Sequence, residues 1–187
     1  QELAEKDLVT GETIGISVAL IILALVFGSV TSAFIPVILA IVSIFVAIGL
    51  VSIIGQIIDL NDFVTNIMTM MGLAVGIDYC LFILSRYREE RISGLDKIDA
   101  ITNTGSTAGR AVMFSGLTVV FALLGMFIIP EKTFHAFGVG SIVVVFVAVM
   151  AGITLLPAII GLIGDRVNSF KVPKKLTLIL YLIGFFI

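Results

Sequence analysis

The run TIGISVALIILALVFGSVTSAFIPVILAIVSIFVAIGLVSIIGQII, residues 13–58, holds 46 residues without an Asp, Glu, Lys or Arg, between Glu12 and Asp59. A helix crosses the hydrocarbon core of a bilayer with roughly 20 apolar residues. At 1.5 Å per residue this run would reach about 70 Å as one helix, more than twice the core thickness. It must fold back once. The natural break is Gly28-Ser29-Val30-Thr31-Ser32, with Pro36 just inside the second helix, where proline is tolerated. The run predicts two spans, about 13–29 and 34–55.

Charges punctuate the rest of the chain in the same way. Residues 63–85 form a third span, interrupted by one acid, Asp78. Residues 111–129 form a fourth, ended by Pro130. Residues 134–163 form a fifth, long enough to tilt or kink, with Pro157 inside it. The 187-residue composition supports this count: 59% of residues are apolar, 13% are charged and the mean hydropathy is +1.24. An ordinary soluble domain is about a quarter charged, so a soluble enzyme is excluded first. Disorder and collagen are excluded by the apolar content, with 18 Gly and only 4 Pro. The net charge of -2 provides no bulk attraction to nucleic acid. One Cys and one His cannot build a disulfide framework or a multi-cysteine metal site, and no metal is expected. The expected fold class is an all-α membrane protein, a five-helix transmembrane bundle over 13–164.

Orientation follows from the cations. Arg86, Arg88, Arg91, Lys97 and Arg110 lie in the 86–110 connection, and Arg166, Lys171, Lys174 and Lys175 follow the fifth span. Lys6 and Lys132 fall on the other side, with Asp59, Asp62 and Glu131. The positive-inside rule then places the N-terminal side outside and the C-terminal side in the cytoplasm, in agreement with an odd number of spans. Ile92, Leu95, Ile98 and Ile101 recur every three residues, so the 86–110 connection is expected to be partly helical, either lying on the membrane surface or serving as a solvated connector. Residues 1–12 are polar and acidic and read as the juncture to an extracytoplasmic domain, or as a frayed tail. The 165–187 segment ends in an apolar tail, 176–187, too short to cross, and the chain reads as a section of a longer protein.

Asp78 is the one ionisable residue well inside a span. A charged group near the bilayer centre costs at least about 2.5–3.5 kcal/mol on insertion scales. Such a residue faces a bundle interior or a wet cavity and marks an ion or proton pathway, or else a neutral carboxyl that hydrogen-bonds helices together. Tyr79 follows directly, and its hydroxyl can donate to a carboxylate or relay a proton. Adjacent helix residues point about 100° apart, so each is expected to meet a partner on a different helix. Both are expected to point away from lipid. Gly72 and Gly76 share one helix face and let another helix approach closely, or simply pack. Ser115 and Thr118 offer a polar path in the fourth span, as Thr65, Asn66, Thr69 and Thr154 do elsewhere; each alternatively bonds its own helix backbone. Cys80 reads as a small packing residue. His135 sits at the outer mouth of the fifth span. Pro157 is expected to bend the fifth span.

GLAVGIDYCLFILSRYREE, residues 72–90, resembles the fourth transmembrane helix of the MMPL transporters, a lipid-exporting branch of the resistance–nodulation–division (RND) superfamily. TGSTAGRAVMFSGLTVVFALLGM, residues 104–126, is similar to the family's cytoplasmic turn and fifth helix. GVGSIVVVFVAVMAGITLLPAIIGLIGDR, residues 138–166, resembles its sixth helix with the Leu-Pro-Ala ending. The five spans then correspond to helices two to six, half of an RND-type transmembrane domain in the bacterial cell membrane. The resemblance implies proton-driven export of hydrophobic or lipidic molecules, with protons as the coupling ion and no other cofactor. It implies a second half of the same transporter and porter domains as partners, beside the lipid bilayer. Asp78 would be the protonatable carboxylate. Tyr79 would serve the matching pair on the other half.

Three other readings compete. An intramembrane aspartyl protease needs two carboxylates sharing a proton, and no second acid lies inside a span. A sterol-sensing or protein-export relative in the same superfamily shares the five-helix unit, while the Asp-Tyr pair favours the MMPL type. A non-transporting membrane anchor would use Asp78 only for packing.

Overall fold

The structure, a computed structural model, describes residues 30–56 and 63–164, with Gly15, Val18, Ile22 and Leu23 ahead of them. The expected span 13–29 and the segments 1–12 and 165–187 lie outside the described residues, apart from those four positions. Among the described residues every regular element is helical. Four stretches are long and apolar enough to cross a membrane, ending at Ile54, Ile92, Ile128 and Ile163. They correspond to the second to fifth expected spans.

Helix α1 is Val30–Ile54, α2 is Phe63–Ile92 and α3 is Lys97–Thr104. A π-helical segment, Gly105–Gly109, joins α3 to α4, Arg110–Leu124, which closes in a 3-10 turn, Gly125–Ile128. Helix α5, Lys132–Met150, passes through a second π segment, Ala151–Leu155, into α6, Leu156–Ile163.

The charges mark where the chain leaves the apolar layer better than where its helices stop. α2 runs on past residue 85 to Ile92 through Arg86, Arg88, Glu89 and Glu90. The 86–110 connection is helical except for a turn at 93–96, where Gly94 takes φ +97°, a conformation that favours glycine. Asp96 then caps α3, its side chain accepting from the Asp99 amide at 2.9 Å. Ile98 and Ile92 stay exposed on this piece, while Ala100 and Thr104 are buried.

Pro36 departs from expectation. It is not in the first turn of its helix, because α1 begins at Val30 and Pro36 lies inside the helix. A proline there gives up one i→i−4 hydrogen bond but does not end the helix. Pro157 behaves differently. It lies in α6 with only Leu156 between it and the π segment Ala151–Leu155, so the backbone next to this proline forms a widened turn. Its missing N–H and its ring both disfavour a regular α bond to the Ile153 carbonyl, and a π turn relieves that conflict. The first π segment reads Gly-Ser-Thr-Ala-Gly, bounded by two residues of weak helix propensity. The Ser106 and Thr107 hydroxyls both donate to the Asn103 carbonyl, at 3.0 and 2.7 Å, in competition with the backbone.

The chain divides into two compact units, one of residues 38–162 and one of the segments on either side. In the flanking unit, the start of α1 buries Ser32, Ala33, Ile35, Pro36 and Val37 and exposes Phe34. In the 38–162 unit, close approaches at glycines define the helix directions. A Cβ on Gly72 would lie 2.5 Å from Ile44 Cγ1, and one on Gly76 would lie 3.0 Å from Ala40 Cβ and 3.1 Å from Ala40 Cα. α1 is therefore antiparallel to α2. Gly140 meets Val64 and Met68, Gly72 meets Val144, and Gly152 meets Ile83. Both sequence numbers rise together, so α2 runs parallel to α5. Gly138 packs on Phe127 and Gly116 on Val149, so α4 is antiparallel to α5. Ile44, Ala47, Val51, Val64, Met68, Ala136, Val144, Val145 and Val147 form the core.

Candidate functional site

The middle of α2 carries the candidate residues Asp78 and Tyr79. Its buried side holds Val64, Met68, Gly72, Gly76, Tyr79 and Ile83. Its exposed ridge holds Met70, Ala74, Asp78 and Phe82, four residues apart and so in line along the helix. Asp78 is thus an acid on an otherwise apolar, exposed ridge. Among the described residues nothing hydrogen-bonds or ion-pairs with it.

Tyr79 goes elsewhere. Only 9% of it is exposed, and it enters the interior between α2, α4 and α5. Its hydroxyl lies 3.5 Å from the place a Cβ on Gly116 would occupy, and its Cβ lies 3.9 Å from the same point at Gly152. A methyl at Gly116 would strike Val149 Cγ2. Glycine at 116 and 152 therefore makes the room that Tyr79 fills. Tyr79 points into the bundle, away from lipid as expected, while Asp78 is exposed and does not share its surroundings. Their separation of about 100° around the helix sends the carboxylate outward and the phenol inward.

Gly72 and Gly76 sit where α1 and α5 press on α2, Gly76 less than one turn and Gly72 nearly two turns before this pair. At Gly76 the neighbour is the Ala40 backbone, which cannot swing aside as a side-chain tip would. Ser115 and Thr118 are both exposed on α4, and the Thr118 hydroxyl donates to the Phe114 carbonyl at 2.9 Å. Thr69 and Thr154 likewise bond back, to Thr65 and Met150, at 2.9 and 2.5 Å. The structure does not bring Ser115 or Thr118 to the Tyr79 pocket. Cys80 is a free, buried thiol. His135 is half-buried and stacks on Phe127, ring centres 5.5 Å apart and planes 26° from parallel. Among the described residues no group of three or more His, Cys, Asp or Glu side chains converges on a metal position.

The charged end of α2 has its own order. Arg86 bridges Glu89 at 3.1 Å and Glu90 at 2.5 Å, and Glu90 is buried. Lys97 reaches from the start of α3 to donate to the Gly161 carbonyl in α6 at 2.9 Å. Neither these partnerships nor the place Gly116 provides for Tyr79 was foreseen from the sequence. The Arg86–Glu90 spacing of four was a readable signal. The Gly116–Tyr79 and Lys97–Gly161 approaches were not, because they join distant segments.

Comparison with known proteins gives a consistent result. The profile of the MMPL family matches residues 1–182. Membrane protein YdfJ of Bacillus subtilis is 38% identical over 169 residues, 89% of this chain and 23% of that protein. The mycolic acid-containing lipids exporter MmpL11 of Mycolicibacterium smegmatis is 38% identical over 160 residues, 86% of this chain and 17% of its own length. The trehalose monomycolate exporter MmpL3 of the same organism is 31% identical over 171 residues, 91% of this chain and 17% of its own. The chain thus spans about a fifth of the length of the relatives it matches. A family match of that extent, on a bundle of membrane-length helices, means that the chain belongs to the MMPL family and is a multi-pass protein of the bacterial cell membrane.

Proposed function

We propose that this chain is a transmembrane half-domain of a proton-driven exporter of lipidic or hydrophobic molecules, oriented with its N-terminal side outside. Asp78 is the group that takes up and releases the coupling proton. The observation that carries this reading is the position of Asp78, a carboxylate on an exposed ridge of a membrane-length helix with no partner among the described residues. Left against lipid in its ionised form, it would cost at least about 2.5–3.5 kcal/mol. A second half of the transporter packed on the Met70–Ala74–Asp78–Phe82 ridge removes that cost and makes the charge switchable by a proton. Porter domains, which such a protein places outside the bilayer, would receive the cargo. The names of the relatives support lipid export, since two of the three are exporters of mycolic-acid lipids.

Tyr79 serves this reading from behind. Its phenol, held beside Gly116, fixes the rotation of α2 about its axis and thereby the direction of the Asp78 carboxylate. This makes it a positioning residue rather than a direct partner of Asp78.

The test uses the full-length protein in proteoliposomes under an imposed proton gradient, reading transfer of a fluorescent lipid analogue. Asp78→Asn keeps size and hydrogen bonding but cannot ionise. It is expected to abolish gradient-dependent transfer while insertion and folding persist. Transfer equal to the unsubstituted protein overturns the proposal and leaves a membrane anchor. Tyr79→Phe keeps the ring in its place and is expected to reduce transfer only partly. Complete loss would place the phenol in the proton path itself.

A further inference from the structure

The two π segments lie side by side at one end of the bundle, and a cavity of about 160 Å³ opens where they meet. Its floor is Ile83, Gly109 and Gly152, all buried; its rim is Gly105, Arg110 and Met113, all exposed. Three of these six residues are glycines, so the walls are largely bare backbone and apolar carbon. π turns inside α-helices are frequent at functional sites. The surface of this cavity is mostly apolar, so it favours contact with apolar matter over water.

Arg110 distinguishes this cavity from a packing defect. It is the first residue of α4, exposed at the rim, and no acid among the described residues pairs with it. Arg86, Arg88, Arg91 and Lys97 gather at the same end of the bundle. A cation at the mouth of an apolar cavity, at the boundary of the membrane layer, matches a ligand with an anionic head and a hydrocarbon chain. The bilayer supplies such a molecule around every turn of the protein, and a basic rim concentrates its anionic lipids. Because these features lie apart from the Asp78 ridge, the inference stands independently of the proton reading.

We propose that this cavity is a binding site for an anionic phospholipid of the leaflet at the basic end. A few carbons of one acyl chain enter between the π segments, and Arg110 holds the phosphate.

The experiment is native mass spectrometry of the full-length protein, delipidated and titrated with phosphatidylglycerol or phosphatidylcholine. Phosphatidylglycerol is expected to be retained more tightly. Arg110→Gln should weaken it about tenfold, the loss of one charge-assisted contact, and weaken phosphatidylcholine less, because its choline cation already offsets the charge of the phosphate. Arg110→Lys should restore most of the preference. At Gly105, on the rim, a new Cβ meets nothing within 4 Å, so the backbone there has room to carry a side chain, and Gly105→Leu should narrow the mouth to both lipids. A diazirine on the acyl chain should insert into the peptide that carries residues 105–113. Millimolar inorganic phosphate should not displace the lipid. Displacement by phosphate would reduce the site to a simple anion contact and overturn the proposal. So would phosphatidylglycerol retention that neither Arg110→Gln nor Gly105→Leu alters, or insertion of the label elsewhere.

Discussion

Tyr79 and Asp78 are neighbours in sequence and occupy different environments. The cause is the step of about 100° per residue, and Gly116 and Gly152 make the room that the inward-facing ring fills. Gly116→Ala would drive its methyl into Val149 Cγ2 and toward the Tyr79 hydroxyl. The expected cost is about 1–3 kcal/mol, as for other overpacked cores. Val149→Ala in the same protein should recover part of that loss, and a double-mutant cycle on unfolding midpoints in mixed micelles would measure the coupling. Additive costs would show that the two residues do not compete for the same space. At this scale the sequence was informative about charge and silent about facing. Asp78 stood out as the only acid within a span. Which side of α2 meets other helices did not, because apolar residues surround the helix on all sides and leave no stripe to read. Gly72 and Gly76 were the exception. Small residues four apart mark a face without any contrast in polarity, and both lie at close helix approaches.

Among the elements, α3 and the two π segments matter most. Lys97 ties the start of α3 to α6 by a bond of 2.9 Å to the Gly161 carbonyl. Lys97→Met keeps the length of the stem and removes the donor. The expected loss is about 1.5 kcal/mol, with faster hydrogen exchange in α3 and in the last turns of α6 before any change elsewhere. Unchanged exchange there would mean that the bond contributes nothing measurable. The elements were legible in number and kind wherever a long uncharged run met a charge. Their ends were less so. Charge ends a membrane span because it will not enter hydrocarbon, yet it is no obstacle to a helix that continues into water, as α2 does through Arg86 and Arg88 to Ile92. Pro157 gave a readable warning of an interruption in the fifth span. No comparable signal stood at Gly105–Gly109, where two glycines and two hydroxyl residues act together.

At the scale of the whole molecule, the described cations divide by end, with Arg86, Arg88, Arg91, Lys97 and Arg110 at one and Lys132 at the other. This division makes the orientation testable. In full-length protein in sealed inverted and right-side-out vesicles, Ser93→Cys should react with a membrane-impermeant maleimide only from the cytoplasmic face, and Thr133→Cys only from the outer face. Cys80 is buried and should add little background. Labelling of both positions from one side would refute the proposed topology.

The parallel course of α2 and α5–α6 has an electrical consequence. Each peptide chain wound in the same sense adds its dipole to the other, and two fractional negative poles come together at the same depth. Lys97, lying on a carbonyl of one, and the arginines that finish the other supply the counter-charge. Neutralising these cations in bulk would therefore remove a counter-charge that two adjoining helix ends share, and the bundle would loosen where those ends meet.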